Sequence, residues 1–561
     1  MQKIIFFASL FLSTYCYSNF DNADWSTEAS IEKGETRANI YNLEEEEFEQ
    51  IKRDGLIHAL RYPVTVTGLL IPYDPMKNFF NDGEDKGLKK YLAKIGQKLS
   101  GFHDEKSMYE WLGLNKYNDE NATGIYNIPY PDGHKPDYYM GASIIETKWG
   151  RGLTYSCATC HSASLFGRSV MGLTNKRPRA NRYFVMAKKF VPLIPSHLFG
   201  EFTGATPEEV AMFRRTKRNL PSVGAKTPQA LGLDTSLPQV ALSLSKRKTD
   251  EYATKSRFFE FSPRPNALKT KIADSKPMVW WNLKYKTRWL SDGSIVQGNP
   301  ILTNFLWNEI GRGTDLKELE QWMKDNQETI KELTVAAFAT EAPKYWDFFP
   351  ASKIDLAKAK RGEAIYKNQC LKCHGEYVKA WSSNYSHLLT HEQKLATTKV
   401  IYHEKTPVKD VGTDPGRYEG TKAFADALNK LSISKWMKTV VVPQKGYVPP
   451  PLVGIWSRWP YFHNNAIPNL CELLTHPDKR VKTFYQGPAN NPETDFDDEC
   501  VGYPTGDKIP KAWKKDKDAL FDTRREGMSN KGHAKAFIGE NGEEILSVEQ
   551  KKDLIMFLKT L

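Results

Sequence analysis

The chain of 561 residues has little cysteine and no long hydrophobic run. Seven cysteines are too few for a scaffold of this size to be held together mainly by disulfides. A mean hydropathy of −0.56, with no internal apolar stretch near about 18 residues, excludes a polytopic membrane protein. Hydrophobic residues make up 40% and charged residues 26%, which is typical of a globular protein and excludes disorder throughout.

Several motifs that would assign a function are also missing. The net charge of +12 would suit acidic partners, anionic membranes or nucleic acid. However, the chain has no zinc finger, RNP-type aromatic motif or concentrated basic arm, so we expect no nucleic-acid partner. A lysine-rich solvated surface explains the charge. The absence of Walker, Rossmann and G-x-S-x-G motifs gives no reason to predict nucleotide binding or hydrolase chemistry.

The first 18 residues have the pattern of an export signal. Lys3 is followed by an apolar stretch over residues 4–12, which is too short to cross a bilayer. A cleavage site that ends in the small residue Ser18 comes next. Cys16 is alternatively a site of lipid anchoring, although residues 13–15 match poorly the sequence that precedes a lipidated cysteine. We therefore expect a signal peptide over 1–18 and a mature chain that is periplasmic or secreted.

Four of the seven cysteines lie in two copies of the pattern C-x-x-C-H. The copies are Cys157-Ala158-Thr159-Cys160-His161, the first motif, and Cys370-Leu371-Lys372-Cys373-His374, the second motif. On a helical turn, residues three or four apart share a face, so both thiols can form thioethers with one haem while the His binds its iron. A redox C-x-x-C pair or a zinc site explains the trailing His less well. We predict two covalently bound haems c, with His161 and His374 as iron ligands.

The surroundings of the second motif predict a small cytochrome c domain. Residues 361–366 read as a helix that leads into Cys370. At the end of the chain, Ser547 and Gln550 form a capping box before a helix with an apolar stripe. Two such helices crossing beside a haem are what a cytochrome c domain needs.

The ligand opposite each motif His decides whether a haem carries electrons or does chemistry. For the second haem the residues leave two candidates. Met437 lies 63 positions after His374, a spacing that suits a His/Met cytochrome. His463 lies in a proline-rich, aromatic segment that could hold a side chain over the porphyrin.

That segment carries a resemblance to a known family. It is similar to the proline-rich segment of large di-haem c enzymes in the cytochrome c peroxidase superfamily, and most similar to the rubber-oxygenase-like branch. The similarity covers most of residues 140–561. It rests on residues 449–465, Ile467-Pro468-Asn469-Leu470, Leu473-Leu474, residues 484–487 and 501–503, residues 280–285 with Asp292-Gly293-Ser294, Ala342-Pro343-Lys344-Tyr345, and Asn530-Lys531-Gly532-His533.

The resemblance implies a role for each haem. It favours His463 over Met437 as the second ligand of the C-terminal haem. It also implies that the haem on His161 has an open position where peroxide or dioxygen binds. Four residues are rivals that could close this position: Met140, Met171, Met186 and His197.

A tryptophan pair is the candidate link between the haems. Trp280 or Trp281 could line the open pocket or stand between the haems and relay electrons, or each could be an ordinary buried aromatic residue. We assign Trp281 as the candidate catalytic residue. No position matches the distal acid–base residue of the peroxidases, which weighs against proton-assisted O–O cleavage.

Cys471 and Cys500 are the remaining cysteines of the mature chain. In an oxidising compartment they predict a disulfide, and two separate buried thiols are the alternative. The two motifs are 213 residues apart, which suggests two enlarged, related domains. We predict an N-terminal extension over 19–140 that packs on the first haem domain, a first cytochrome c-like domain over 141–350 and a second over 351–561.

Together these patterns predict a mainly α-helical, loop-rich protein with few short strands. We expect an exported di-haem c oxidoreductase with a His/His electron-transfer haem and an open haem that activates peroxide. Dioxygen-dependent cleavage of an apolar substrate and a plain electron carrier are the alternatives. The expected partners are a small redox protein or small-molecule electron donor, with peroxide or dioxygen. The sequence does not indicate an oligomeric state.

Overall fold

The structure is a computed structural model that describes residues 23–80 and 101–561. The predicted signal peptide, with Cys16, lies outside the described residues. Within the two described ranges, no helix has both the length and the hydropathy needed to cross a membrane. Helices account for 43% of the residues and strands for 11%, which confirms the predicted mainly α-helical class.

The α-helices are short and are separated by long loops and single 3-10 turns. In chain order they are α1 (Glu45–Leu60), α2 (Tyr73–Phe80), α3 (Glu105–Trp111), α4 (Ala158–His161), α5 (Ala180–Phe190), α6 (Ser196–Thr203), α7 (Pro207–Asn219), α8 (Ser236–Ser245), α9 (Arg257–Phe261), α10 (Pro300–Gly311), α11 (Leu316–Asp325), α12 (Gln327–Ala339), α13 (Leu356–Gln369), α14 (Leu371–His374), α15 (His391–Leu395), α16 (Gly416–Gly420), α17 (Ala425–Asn429), α18 (Ser432–Trp436), α19 (Leu470–Leu473), α20 (Ala534–Phe537) and α21 (Val548–Leu558).

The strands form small antiparallel ladders. They are β1 (Ile71–Pro72), β2 (Ala142–Thr147), β3 (Gly150–Tyr155), β4 (Ser162–Leu165), β5 (Arg168–Met171), β6 (Ile295–Gln297), β7 (Glu376–Lys379), β8 (Thr397–Ile401), β9 (Val440–Val441), β10 (Thr483–Tyr485) and β11 (Leu520–Asp522). One sheet has the order β1-β3-β2, and the other ladders pair β4 with β5, β6 with β9, β7 with β8 and β10 with β11. A strand closely follows each C-x-x-C-H motif and pairs with a later strand, Ser162 with Met171 and Glu376 with Ile401.

The second motif lies at the end of a helix that crosses the C-terminal helix, as predicted. A Cβ added at Gly362 of α13 would overlap the carbonyl oxygen of Asp553 in α21, so the two backbones meet directly. Arg361 donates two hydrogen bonds to the Asp553 carboxylate, at 2.7 and 2.9 Å. The predicted capping box of Ser547 and Gln550 is present at the start of α21.

A second pair of helices, which also cross at a glycine, packs in the same core as the first motif. A Cβ added at Gly55 of α1 would overlap the carbonyl oxygen of Glu332 in α12 and contact Ala336 one turn later. Ala59 and Leu60 of α1 share a hydrophobic core with Ala158 of the first motif. Residues 45–60 therefore pack in the same core as the first motif. The sequence analysis assigned them to an N-terminal extension that packs on the first haem domain.

The two hydrophobic cores meet at adjacent tryptophans. Trp280 belongs to the core that contains Leu60, Phe305 and Phe338. Trp281 belongs to the core that contains Tyr366 and Phe557 of the α13–α21 pair. Both tryptophans lie in a 3-10 helix over Trp280–Tyr285, which we call the linking turn.

The predicted disulfide between Cys471 and Cys500 is confirmed. It joins α19 to the loop before Val501. Val501 and Leu470 are both buried in the second core. The disulfide therefore ties this loop to the proline-rich segment that precedes α19.

Candidate haem sites

Both motif histidines are oriented by the same kind of hydrogen bond. The Nδ1–H of His161 donates to the carbonyl oxygen of Met278 at 3.1 Å, and that of His374 donates to the carbonyl oxygen of Pro450 at 2.7 Å. A carbonyl can only accept, so the proton is on Nδ1 and the lone pair is on Nε2. This second hydrogen bond is typical of metal-binding histidines, because it sets the ring orientation and the tautomer.

The motif side chains are partly accessible inside otherwise buried surroundings. All four motif cysteines have intermediate exposure. Burial raises the pKa of the Cys157 thiol to about 11 and that of Cys370 to about 12. Burial also lowers the pKa of His161 and of His374 to about 4. Neutral imidazole is the form that binds iron.

A cavity of about 250 Å³, counted as space open to the centres of water molecules, lies against the first motif. Cys157, Cys160 and His161 line one wall. Another wall is formed by α10, whose Ile301, Phe305 and other residues spaced by helical turns face the cavity. Trp289, Trp307 and Leu333 add to its largely apolar lining. The accessible surface of the cavity is mostly apolar, and polar residues including Asp234, Lys276 and Arg417 also line it. A concave, mostly apolar surface with some polar groups is typical of a cofactor site.

None of the four residues that could close the first haem lines this cavity. Met140 and Met171 are buried in the surrounding core. Met186 packs against the outside of that core, and His197 is exposed on α6. Among the described residues that line the cavity there is therefore no second histidine, and the one methionine is Met278, whose backbone carbonyl accepts from His161.

Asp234 is the one carboxyl group among the described residues that line the cavity. Burial raises its pKa, while a hydrogen bond from the Ser236 backbone and the charge of Arg417 act in the opposite direction. The sequence analysis did not single out this residue, because a lone aspartate in a loop has no distinguishing pattern.

At the second motif, the ring that faces His374 is that of His533. The two ring centres are 6.4 Å apart and the ring planes differ by 11°. This separation is too long for ring-to-ring contact. Two imidazoles that bind one metal ion from opposite sides have ring centres about 6 Å apart, because each metal–nitrogen bond is about 2 Å long. His374 and His533 therefore have the spacing of two axial ligands.

The backbone around His533 holds its ring in place. The Arg480 guanidinium donates hydrogen bonds to the carbonyl oxygens of Asn530 and Gly532, just before His533. The Phe462 ring stacks on the His533 ring, with centres 5.0 Å apart. His533 has a φ of 66°, which non-glycine residues rarely adopt and which the surrounding contacts maintain.

The His533 ring has an unpaired nitrogen. Its Nδ1 is buried and has no hydrogen-bond partner among the described residues. Burial lowers the pKa of His533 to about 3, so the imidazole is neutral. A buried, neutral and unpaired imidazole opposite a motif histidine fits a bound haem.

His463 and Met437, the two sequence candidates, lie elsewhere. The His463 ring stacks on Tyr447 with centres 3.9 Å apart. Burial, together with the charges of Arg417 and Lys276, holds the pKa of His463 well below its usual value. Met437 is buried in the core around the first motif. The geometry thus favours His533 over the predicted His463, because the His533 ring is parallel to that of His374 whereas the His463 ring stacks on Tyr447.

The two tryptophans occupy different positions relative to the motifs. The Trp280 ring lies 5.3 Å from the His161 ring, centre to centre, and lines the cavity. Trp281 is fully buried and its indole N–H donates to the carbonyl oxygen of Val453 at 2.8 Å. Trp281, the predicted catalytic residue, therefore lies between the two sites rather than in the cavity.

Comparison with protein families agrees with the class of protein that these sites indicate. Residues 446–485 match a family described as RoxA-like, cytochrome c-like. This segment contains Pro450, whose carbonyl oxygen accepts from His374, and the predicted ligand His463. The match indicates a haem-containing oxidoreductase with covalently bound haem c, and it is consistent with the rubber-oxygenase-like branch.

Two curated relatives, both from Sinorhizobium fredii, are similar to this chain. The uncharacterized protein y4iJ is 27% identical over an alignment of 288 residues that covers 44% of this chain and 45% of the relative. The uncharacterized protein y4iM is 25% identical over an alignment of 238 residues that covers 37% of this chain and 49% of the relative. The chain thus matches less than half the length of either relative.

Proposed function

We propose that this protein is an exported di-haem c oxygenase that uses dioxygen to cleave a carbon–carbon double bond of an apolar substrate. One haem is attached through Cys157 and Cys160 with His161 as ligand. The other is attached through Cys370 and Cys373 with His374 and His533 as ligands. The periplasmic or secreted location rests on the export signal predicted for residues 1–18.

The single observation that carries this proposal is the cavity against the first motif. It has His161 on one wall, no second histidine among the described residues that line it, and a lining rich in aromatic and aliphatic side chains. A haem in such a site supplies the ability to bind and activate dioxygen. The protein supplies the ligand, the apolar surroundings and the access route.

The groups that line the cavity have separate roles. The carbonyl oxygen of Met278 holds His161 in the tautomer whose Nε2 faces away from that hydrogen bond. Phe305 and Ile301 on α10 present an apolar wall that excludes water and suits a hydrocarbon chain. Asn304, which also lines the cavity, is exposed, so the cavity opens to solvent at this end of α10.

Cleavage of a carbon–carbon double bond by one dioxygen molecule gives two carbonyl groups. Both oxygen atoms enter the product, so the reaction consumes no external electrons. The second haem, closed by His533, would then set and maintain the oxidation state of the first. The linking turn connects the two sites, because Trp280 contacts His161 while Trp281 bonds Val453, three residues after the Pro450 that orients His374.

The proposal is tested on the purified holoprotein with a polyisoprene emulsion as the apolar probe. Under ¹⁸O₂ we expect labelled carbonyl products without any added electron donor. The ferric EPR spectrum should show one high-spin and one low-spin haem, and cyanide should shift only the high-spin signal. Two low-spin haems that do not respond to cyanide or oxygen would contradict the proposal and leave an electron carrier.

Peroxidase action is the second candidate, and Asp234 is the observation that favours it. A carboxyl group with a raised pKa in the cavity could exchange protons with bound peroxide. This reaction would consume two electrons for each peroxide, from a small redox protein or a small-molecule donor. Peroxide-dependent oxidation of such a donor that is lost in Asp234→Asn, with no product from polyisoprene, would favour the peroxidase over the oxygenase.

A further inference from the structure

A buried lysine and a partly exposed arginine close to the second motif have no acidic partner. Lys286 directly follows the linking turn and is 3% exposed. Burial lowers the pKa of Lys286 to about 7, and the positive charge of Arg458 acts in the same direction. Buried charges in proteins are normally paired with an opposite charge.

The groups around this pair do not neutralise it. Arg458 donates to the carbonyl oxygen of Pro451 at 2.7 Å and interacts electrostatically with the phenols of Tyr377 and Tyr461. The remaining charged or titratable neighbours of Arg458 are Lys276 and His374. Among the described residues, neither Lys286 nor Arg458 forms an ion pair with a carboxylate, and Lys286 Nζ has no hydrogen-bond partner.

The position of the pair relates it to the second haem site. Pro451, which accepts from Arg458, is adjacent to Pro450, which accepts from His374. Asn282 of the linking turn also donates to the carbonyl oxygen of Pro451, at 3.2 Å, so the turn before Lys286 lies at the same place. The pair therefore lies beside the ring that would bind iron.

Other buried lysines show that this arrangement is not a general property of the molecule. Lys379 is 1% exposed, and its Nζ donates to Leu395, Thr397 and Thr560 oxygens. Lys176 donates to the carbonyl oxygens of Ser457 and Trp459, at 2.9 and 2.6 Å. These ammonium groups are satisfied by the protein, whereas that of Lys286 is not.

We propose that Lys286 and Arg458 bind a carboxylate of the haem held by His374, so that its negative charge pairs with these two cations. A haem carries two carboxylate side chains, and the guanidinium and ammonium groups are the usual partners of such anions. The inference rests on the proposed di-haem function, since it requires a haem at the second motif.

The test measures the midpoint potential of the low-spin haem as a function of pH in the full-length holoprotein. In the wild type the paired carboxylate stays ionised, so its ionisation adds no pH dependence to the potential between pH 5 and 8. In Lys286→Met the lost positive charge should lower the potential. The carboxylate would then be protonated more easily, and the potential should rise as pH falls.

Lys379→Met is the matched control, because it removes an equally buried lysine from the same half of the chain. We expect its midpoint potential and pH dependence to equal those of the wild type. Arg458→Lys keeps a positive charge and should show a smaller downward shift than Lys286→Met. Circular dichroism and haem content verify that each variant is folded and loaded.

A folded Lys286→Met variant with the wild-type potential at every pH would overturn the inference, and so would an equal shift in Lys379→Met. This readout does not involve the first haem or any substrate. If the oxygenase proposal fails but the potential shifts as expected, the carboxylate site stands. If only one haem is found and it is on the first motif, both fail together.

Discussion

The two motif regions share their local geometry and differ in what faces the histidine. Each region has a C-x-x-C-H motif, a helix pair that meets at a glycine, and an Nδ1–H donated to a backbone carbonyl. Opposite His374 lies His533, 6.4 Å away between ring centres. Opposite His161 lies a cavity of about 250 Å³. The same motif can thus support different chemistry, because loops that are distant in sequence decide whether a second imidazole faces the motif histidine.

The largest expected effect comes from removing one pair of thiols, because it tests that both regions carry a haem. Cys157→Ser/Cys160→Ser should lose the haem of the open site, and Cys370→Ser/Cys373→Ser that of the closed site. Each variant should retain about half of the covalent haem, measured by intact mass and haemochrome absorbance. A double variant that keeps the full haem content would contradict the expectation that both motifs hold a haem.

Removing His533 should make the closed site resemble the open one. In His533→Ala the second haem loses its proposed ligand, so the low-spin EPR signal should be replaced by a second high-spin signal. His463→Ala is the control, because the His463 ring stacks on Tyr447 and should leave both signals unchanged. The opposite result, with the low-spin signal lost only in His463→Ala, would restore the ligand predicted from the sequence.

Substituting Gly55 and Gly362, where the helices of each pair cross, tests whether the two helix pairs are equivalent. Gly55→Val and Gly362→Val would each force a side chain into a backbone carbonyl, which cannot rotate away. We expect each to lower the free energy of unfolding by more than about 3 kcal/mol, measured by denaturant titration. Arg53→Val and Lys360→Val, exposed positions two residues earlier, are controls that should change little. A tolerated Gly55→Val would show that α1 is not the counterpart of α13.

The smallest expected effect concerns Asp274, a buried acid four residues before Met278. Met278 orients His161 through its carbonyl oxygen, so this segment belongs to the open site only. Burial raises the pKa of Asp274 from 3.8 to about 6, and its Oδ1 has no hydrogen-bond partner among the described residues. The folded state therefore holds the proton more tightly than the unfolded state. The stabilisation is complete below pH 3.8 and is lost as pH rises towards 6.

Asp274→Asn should remove this dependence. The free energy of unfolding at pH 7 should then exceed that of the wild type by up to about 3 kcal/mol, and the two should converge near pH 4. Thermal unfolding across pH 4–7 measures the difference, with the exposed Asp426→Asn as control. Equal pH profiles for the wild type and Asp274→Asn would show that Asp274 titrates normally.

Local patterns allowed part of the fold and site to be predicted. The capping box at Ser547 and the helix before Cys370 depend on neighbouring residues, and both are present. The Cys471–Cys500 disulfide followed from assigning the other cysteines, and it is present too. Attachment of haem through the two motifs and the domain boundaries stay predictions.

Long-range contacts explain what the sequence analysis missed. Helix α1 has no motif that relates it to Cys157, and only its crossing with α12 places it in that core. His533 and His463 are both histidines in loops that resemble the family, so residue type does not separate them. The Arg480 contacts to the loop before His533 join residues 50 and 52 positions apart, which no local pattern reveals.

By itself, the sequence determined that each motif presents two thiols and a histidine together, because residues this close meet on one turn of helix wherever the chain places them. Only the tertiary structure decided which motif faces a second imidazole and which faces a cavity. An axial ligand must approach from the opposite side of the haem, and the residues on that side are brought there by the packing of distant loops.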